Sequence, residues 1–293
     1  MQEAERKGID SIWVTEHHFF DDGYLPQPLT LAAAIAARTR RVRIGTAVML
    51  APLRPAVQIA EEAAIVDILS DGRLELGLGA GYVIPEFEAY GADLARRFET
   101  ADARILEVRR LLEQGGVTPP PIQRPFPLWA GYMGPKGARR AGRLGVGLLS
   151  LDRNLHEPYL KGLAEAGHPV SSARMAGVQY FLLSDDPERD FERVLPYLAH
   201  QLNSYRRGGT AGTGRTAREL SIDDVRKRPG SGPLSALRVV SPAEAARGPR
   251  ENTAGLPAVE CYLWASVGGM PDDMVERQID LCARELRPLL APS

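Results

Sequence analysis

The feature that most constrains this chain is an alternation of short apolar runs with segments of helical periodicity, the pattern of βα units built on a parallel sheet. Seven runs read as strands, at residues 12–15, 42–48, 74–78, 128–130, 146–151, 178–183 and 259–264. Helices fall between them. One begins near Pro28, is rich in Ala and ends at Arg38-Thr39-Arg40-Arg41. The next follows Pro55, whose fixed φ suits a first helical turn, and stops at Asp71-Gly72. A third spans about 99–114, with Ile105, Val108 and Leu112 at helical spacing. A short one covers about 136–144, and the last starts near Pro271.

An α/β chain of 293 residues in this order predicts a (β/α)8 TIM-type barrel, a fold of about 250 residues. One strand is short of the set. Met1 to Gly8 reads as the end of a helix leading into Ile12, so the first strand is expected to be missing from this chain. Residues 1–293 are expected to form a single barrel domain. The Gly-, Arg- and Pro-rich stretch 201–258 is too long for a plain loop and predicts an active-site lid or a mobile excursion.

Composition removes several classes of function. A formal net charge of -1 argues against a nucleic-acid binder, and the basic clusters at 38–43 and 226–228 read as solvated helix ends or loops. No apolar run approaches the ~20 residues of a membrane span, and the charged start lacks a signal peptide's core. Cys261 and Cys282 sit in no ligand-spaced cluster, so free thiols, no metal site and a cytoplasmic location are expected.

Three places carry chemistry. His17 and His18 end the first strand run on opposite faces, so they cannot share one metal. His17 lies with Trp13 and Thr15 on the face expected to look into the barrel; it is either a hydrogen-bonded structural histidine or a catalytic one. Gly77-Leu78-Gly79-Ala80-Gly81 fails the dinucleotide pattern because Tyr82 takes the third glycine's place. It reads as a sharp strand-to-loop transition, at a strand end where a ligand can approach the backbone. Gly131 to Arg139 is a glycine-rich turn opening onto a helix that carries Lys136, Arg139 and Arg140. Free N–H groups of Gly134 to Ala138 make it either an anion site or a plain tight turn.

Taken in order, Trp13-Val14-Thr15-Glu16-His17-His18-Phe19, Gly45-Thr46-Ala47-Val48, Gly72-Arg73-Leu74-Glu75-Leu76-Gly77-Leu78-Gly79 and Glu86-Phe87-Glu88-Ala89-Tyr90-Gly91 resemble the luciferase-like monooxygenase family. The resemblance is good over the first half and weakens beyond Leu151. It implies a flavin-binding barrel, often a homodimer, that uses reduced FMN with oxygen to oxidise a small-molecule substrate, with a flavin reductase supplying the cofactor. One large branch uses the deazaflavin F420 instead, and some relatives bind flavin without turnover. By this resemblance His17 is the catalytic residue beside the flavin ring. Ala47 and Val48 match a strand bulge beneath it, where a non-proline cis peptide is expected. Gly134 and Gly137 match flavin-phosphate positions, and Gly79, Gly131, Lys136 and Ala138 complete the cofactor-binding set. Ala80 stands where the family's luciferase α subunit has a phosphate-binding arginine, which leaves Lys136 or Arg139 to replace it.

Overall fold

The computed structural model describes residues 1–227, 236–264 and 266–290. The helices are α1 (Gln2–Lys7), α2 (Pro28–Arg38), α3 (Ala56–Leu69), α4 (Ile84–Ala89), α5 (Arg97–Glu113), α6 (Gly134–Leu144), α7 (His156–Glu165), α8 (Pro187–Thr210), α9 (Ile222–Arg226), α10 (Pro242–Thr253), α11 (Asp272–Leu281) and α12 (Arg287–Leu290). The strands are β1 (Ser11–Val14), β2 (Arg43–Thr46), β3 (Met49–Leu50), β4 (Leu74–Gly79), β5 (Leu128–Ala130), β6 (Gly147–Leu149), β7 (Met175–Gln179), β8 (Phe181–Leu183), β9 (Arg238–Val240) and β10 (Ala258–Leu263).

Seven parallel strands, in the order β1-β2-β4-β5-β6-β7-β10, wrap into a nearly closed barrel, and β3 adds to β4. The two outer strands meet through side chains. Ser11 Oγ donates to Glu260 Oε1 at 2.6 Å, and the rings of Trp13 and Tyr262 stack 4.7 Å apart.

Period-two alternation decides which side chains go where. Leu74, Leu76 and Leu78 of β4 are fully buried in one core with Ile59 of α3 and Ile105, Val108 and Leu112 of α5. Each such aliphatic side chain contributes about 1.5–3 kcal/mol when buried. The alternate residues face the barrel interior. There Glu75 accepts from Trp129 Nε1 at 2.7 Å and from Arg43 Nε at 2.8 Å. Glycine at 45 and 147 is required there, because a Cβ would lie 2.2 Å from the rings of Trp13 and Trp129 respectively.

Glu5 ties α1 to the loop before β2. Its carboxylate accepts the backbone N–H groups of Arg40, Arg41 and Val42 at 2.7–3.0 Å. Burial alone would raise its pKa, but these three donors outweigh that and hold it at about 2.

The apolar run 178–183 is not one strand. At Tyr180 the chain changes partners: Trp264 N–H bonds to Gln179 O, whereas Arg238 N–H bonds to Tyr180 O. Residues 175–179 therefore belong to the barrel, and 181–183 pair with β9 in a separate two-stranded parallel sheet. Within 201–258, residues 201–210 finish α8, a 24-residue helix capped by Asp186. Then come α9, with a Ser221–Asp224 capping box, β9, and α10, capped by Ser241. Residues 228–235 of that stretch, Arg228 of the basic cluster included, lie outside the described residues. Both cysteines are free and half-buried, and burial pushes Cys261 up to about 12 and Cys282 to about 11. No described helix is long and apolar enough to cross a membrane.

Candidate active site

Beyond Val14 the chain runs through Thr15 to His18 and turns back toward α2. β1 ends at Val14, so the two histidines lie in the loop after it rather than on the strand end expected from the sequence, and they still part. His18 enters a buried ion network. Its Nε2 lies 2.8 Å from Glu16 Oε1, which also accepts from Arg54 Nη1 at 2.6 Å. Glu16 Oε2 takes the Leu50 N–H at 2.6 Å, and the Tyr90 hydroxyl lies 3.4 Å from His18 Nδ1. A buried network satisfied at every position fixes the loops that follow β1 and β3.

His17 meets aromatic rings instead. Phe20 stacks on it at 4.5 Å, Tyr24 meets it edge-on at 5.0 Å, and Tyr82 and Tyr205 do so at 5.6 Å. Its Nδ1 is 3.0 Å from Glu86 Oε1, and the same oxygen accepts the His18 N–H at 2.8 Å. Glu86 is 0% exposed, and its Oε2 has no partner among the described residues. A carboxylate only accepts, so Nδ1 of His17 carries the proton. Nε2 has no hydrogen bond among the described residues and is the position left for chemistry.

The rings around His17 come from three elements. Tyr205 is on α8, Tyr82 precedes α4, and Phe20 and Tyr24 are in the β1–α2 loop. The Tyr24 hydroxyl accepts from Thr15 Oγ1 at 2.8 Å and pairs with the Tyr205 hydroxyl at 2.7 Å. α8 fits closely over Phe20, since a Cβ at Gly208 would come 2.6 Å from that ring. Burial pushes the phenols of Tyr24 and Tyr205 upward, and burial with the nearby Glu86 and Tyr24 takes Tyr82 to about 12. All three are neutral hydroxyls near neutral pH.

A second feature stands at the same barrel end, past β2. The Ala47–Val48 peptide is cis. Val48 is wedged between two glycines: a Cβ would lie 2.4 Å from its Cγ2 at Gly79 and 2.2 Å from its Cγ1 at Gly131. The candidates Ala47, Val48, Gly79 and Gly131 thus converge where β2, β4 and β5 end.

The third feature is the start of α6. Gly134 has φ +71°, a left-handed conformation that suits glycine, and a Cβ there would meet nothing within 4 Å. No side chain caps this helix start. Gly137 has a different reason, because its Cβ would come within 2.8 Å of the Tyr132 Cβ, and Ala138 is buried beneath it. Arg139 is held by Glu165 and Arg140 by Asp102. Lys136 is exposed and has no ion pair among the described residues.

Sequence reasoning missed the ring of Phe20, Tyr24, Tyr82 and Tyr205 and gave Glu86 no role. Part of the signal was present. Val194, Leu198, Gln201 and Tyr205 form a stripe at helical spacing, all buried or half-buried on α8. Nothing comparable marks Tyr82.

A family model described as luciferase-like monooxygenase matches residues 1–229. An F420-dependent glucose-6-phosphate dehydrogenase of Amycolatopsis mediterranei is 29% identical over 259 residues, covering 77% of this chain and 77% of that protein. The oxygenase component of a flavin-dependent trigonelline monooxygenase of Acinetobacter baylyi is 39% identical over 87 residues, 30% of this chain but only 24% of that protein. Among solved structures, monooxygenase RslO1 from Streptomyces bottropensis has the same fold, with a TM-score of 0.77, 23% identity, and coverage of 99% of this chain and 93% of that one.

Proposed function

The chain belongs to the luciferase-like monooxygenase family, a group of oxidoreductases, and from that premise we propose a flavin-dependent monooxygenase that takes reduced FMN and O2 and oxidises a small organic substrate. The observation that carries this reading is His17. It sits past the C-terminal end of a barrel strand, where this fold places its catalysis. Its Nδ1 is held by Glu86, and its Nε2, among the aromatic rings, has no hydrogen bond to the described residues. Nε2 takes a proton from the reacting centre and returns it, while Glu86 keeps the ring from turning. Phe20, Tyr24, Tyr82 and Tyr205 pack around the ring and exclude water, and the three tyrosines add hydroxyl groups beside it.

When bound, the flavin supplies the electrons and the reaction with oxygen. Two features fit it. The Val48 side chain, seated on Gly79 and Gly131 together with Ala47, would hold the ring system. The uncapped start of α6, with Gly134, Lys136, Gly137 and Ala138, would hold the phosphate. A second reading has its own support: the Amycolatopsis relative, matched over most of both chains, is named as F420-dependent. On that reading the same residues serve a hydride transfer.

The reading calls for a separate reductase to supply reduced flavin, and we propose that both act in the cytoplasm. We also assign a homodimer through α3. Val57, Ile65 and Ile68 share one exposed face of that helix, Ile65 being 45% exposed, and exposed Ile122 lies near its C-terminal end.

Spectroscopic titration with FMN and with F420 identifies the cofactor. With it, His17→Ala should lower turnover about 10²- to 10⁴-fold while fold and flavin affinity persist. His18→Ala should act mainly on stability, through the Glu16–Arg54 network. Full turnover in folded His17→Ala, or its loss only in His18→Ala, would falsify this assignment.

A further inference from the structure

Near the His17 pocket lies a polar cluster that the reaction as described does not use. Asp22 belongs to the loop that carries Phe20 and Tyr24. Its side chain is 8% exposed, its Oδ1 accepts the Tyr24 N–H at 3.3 Å, and its Oδ2 has no hydrogen-bond partner among the described residues. Gln201 stands on α8 one turn before Tyr205 and is 4% exposed. Its Oε1 accepts the Gly268 N–H at 3.0 Å, and its Nε2 is buried without a partner. Both side chains border one spot, since a Cβ at Gly268 would lie 3.3 Å from Gln201 Oε1 and 3.8 Å from Asp22 Oδ2. His200, 44% exposed, puts its Nε2 3.7 Å from Asp22 Oδ2 and marks the solvent edge of the cluster.

Burying an unpaired acceptor and an unpaired donor together costs more than leaving either in water. The groups that can repay that cost are few. A carboxylate or carbonyl accepts from Gln201 Nε2 but meets Asp22 Oδ2 with a lone pair. An ammonium satisfies Asp22 and offers nothing to the amide donor. A hydroxyl donates to the first and accepts from the second.

We propose that Asp22 and Gln201, which flank Gly268, form a hydroxyl-recognition subsite, so that the substrate is an alcohol or polyol. This rests on the pocket beside His17 being the substrate pocket. Asp22 reaches the subsite from the β1 side, Gln201 from α8 and Gly268 from the loop after β10. A substrate hydroxyl therefore draws the β1–α2 loop and α8 onto one atom, and the reacting carbon is oriented by the distance from that hydroxyl to His17. Sites that hydrogen-bond a substrate hydroxyl reject analogues lacking it far more strongly than apolar pockets reject a missing methylene.

The test uses binding to the full chain without flavin, so it is independent of turnover. Cyclohexanol, cyclohexylammonium, cyclohexanecarboxylate and methylcyclohexane serve as probes, read by 1H–15N NMR at the Gln201 side-chain amide and the Gly268 N–H. Cyclohexanol should shift both signals and bind about tenfold more tightly than the other three. Gln201→Leu and Gly268→Ala should each weaken cyclohexanol about tenfold. Gly268→Ala has no left-handed φ to strain but presses on Gln201 Oε1 at 3.3 Å, so its fold is checked by circular dichroism beside the wild type. Asp22→Asn should admit the carboxylate by removing the repelling charge. Equal affinity for all four probes, or folded Gly268→Ala and Gln201→Leu proteins that bind cyclohexanol as before, overturns the subsite. An active His17→Ala enzyme with these binding results intact would count against the catalytic reading alone.

Discussion

Substituting Gly131 by Ala tests the packing beneath the pocket most directly. The new Cβ would lie 2.2 Å from Val48 Cγ1, well inside any contact real atoms tolerate. Val48 cannot turn away. It is β-branched and stiff at χ1, and its other methyl already occupies the space a Cβ would need at Gly79, 2.4 Å from Cγ2. Overpacking of this kind costs about 1–3 kcal/mol. Val48→Ala removes two methyls from a half-buried position, at roughly 0.8 kcal/mol for each if fully buried. The double variant, however, has nothing left to collide. Urea denaturation of the four proteins closes a cycle in which Gly131→Ala should cost about 1–3 kcal/mol alone and little beside Val48→Ala. The single variant should lower Tm by a few degrees, at about 2–4 °C per kcal/mol for a chain somewhat smaller than this one. Additive energies, with Gly131→Ala equally costly in both backgrounds, would show that Val48 does not rest on Gly131.

Two further outcomes follow from the fold. Glu5 ionises at about 2 when folded against an ordinary value near 4.5, so its contribution is complete above pH 4.5 and is lost as pH falls toward 2; Glu5→Gln should flatten stability in that window, as read by denaturation between pH 2 and 5. Ile65→Asp with Ile68→Asp should give a folded monomer by light scattering, and a wild type that is itself monomeric at micromolar concentration would refute the α3 interface.

The barrel was legible because its signals are local. Period-two alternation in β4 and the 3.6-residue stripe of α5 can each be read within one segment. The break at Tyr180 was not, because the apolar run continues across it and only the distant partners, β10 and β9, divide it. The site divides in the same way. The sequence separated His17 from His18 by strand alternation, although both lie in the loop beyond β1, where hydrogen bonds to Glu86 and Glu16 part them. Yet the ring around His17 is drawn from positions 20, 24, 82 and 205, and no spacing rule links residues so far apart. The glycines at 79 and 131 attracted notice as ligand positions, whereas their immediate neighbour in the fold is a valine methyl.

The junction of β1 with β10 sets the order in which this protein is able to finish. Ser11 and Glu260 are 249 positions apart, and the Arg287–Asp10 and Lys7–Asp280 pairs span still more. None of these links exists while the ribosome is still making the middle of the chain. Until Tyr262 emerges, Trp13 lacks the ring it stacks on and Ser11 lacks Glu260. Contacts this remote in sequence carry the loop-closure entropy of nearly the whole polypeptide, and they favour slow completion and a long-lived open intermediate. Folding helpers would therefore act on a half-wrapped sheet whose first and last strands have not yet met.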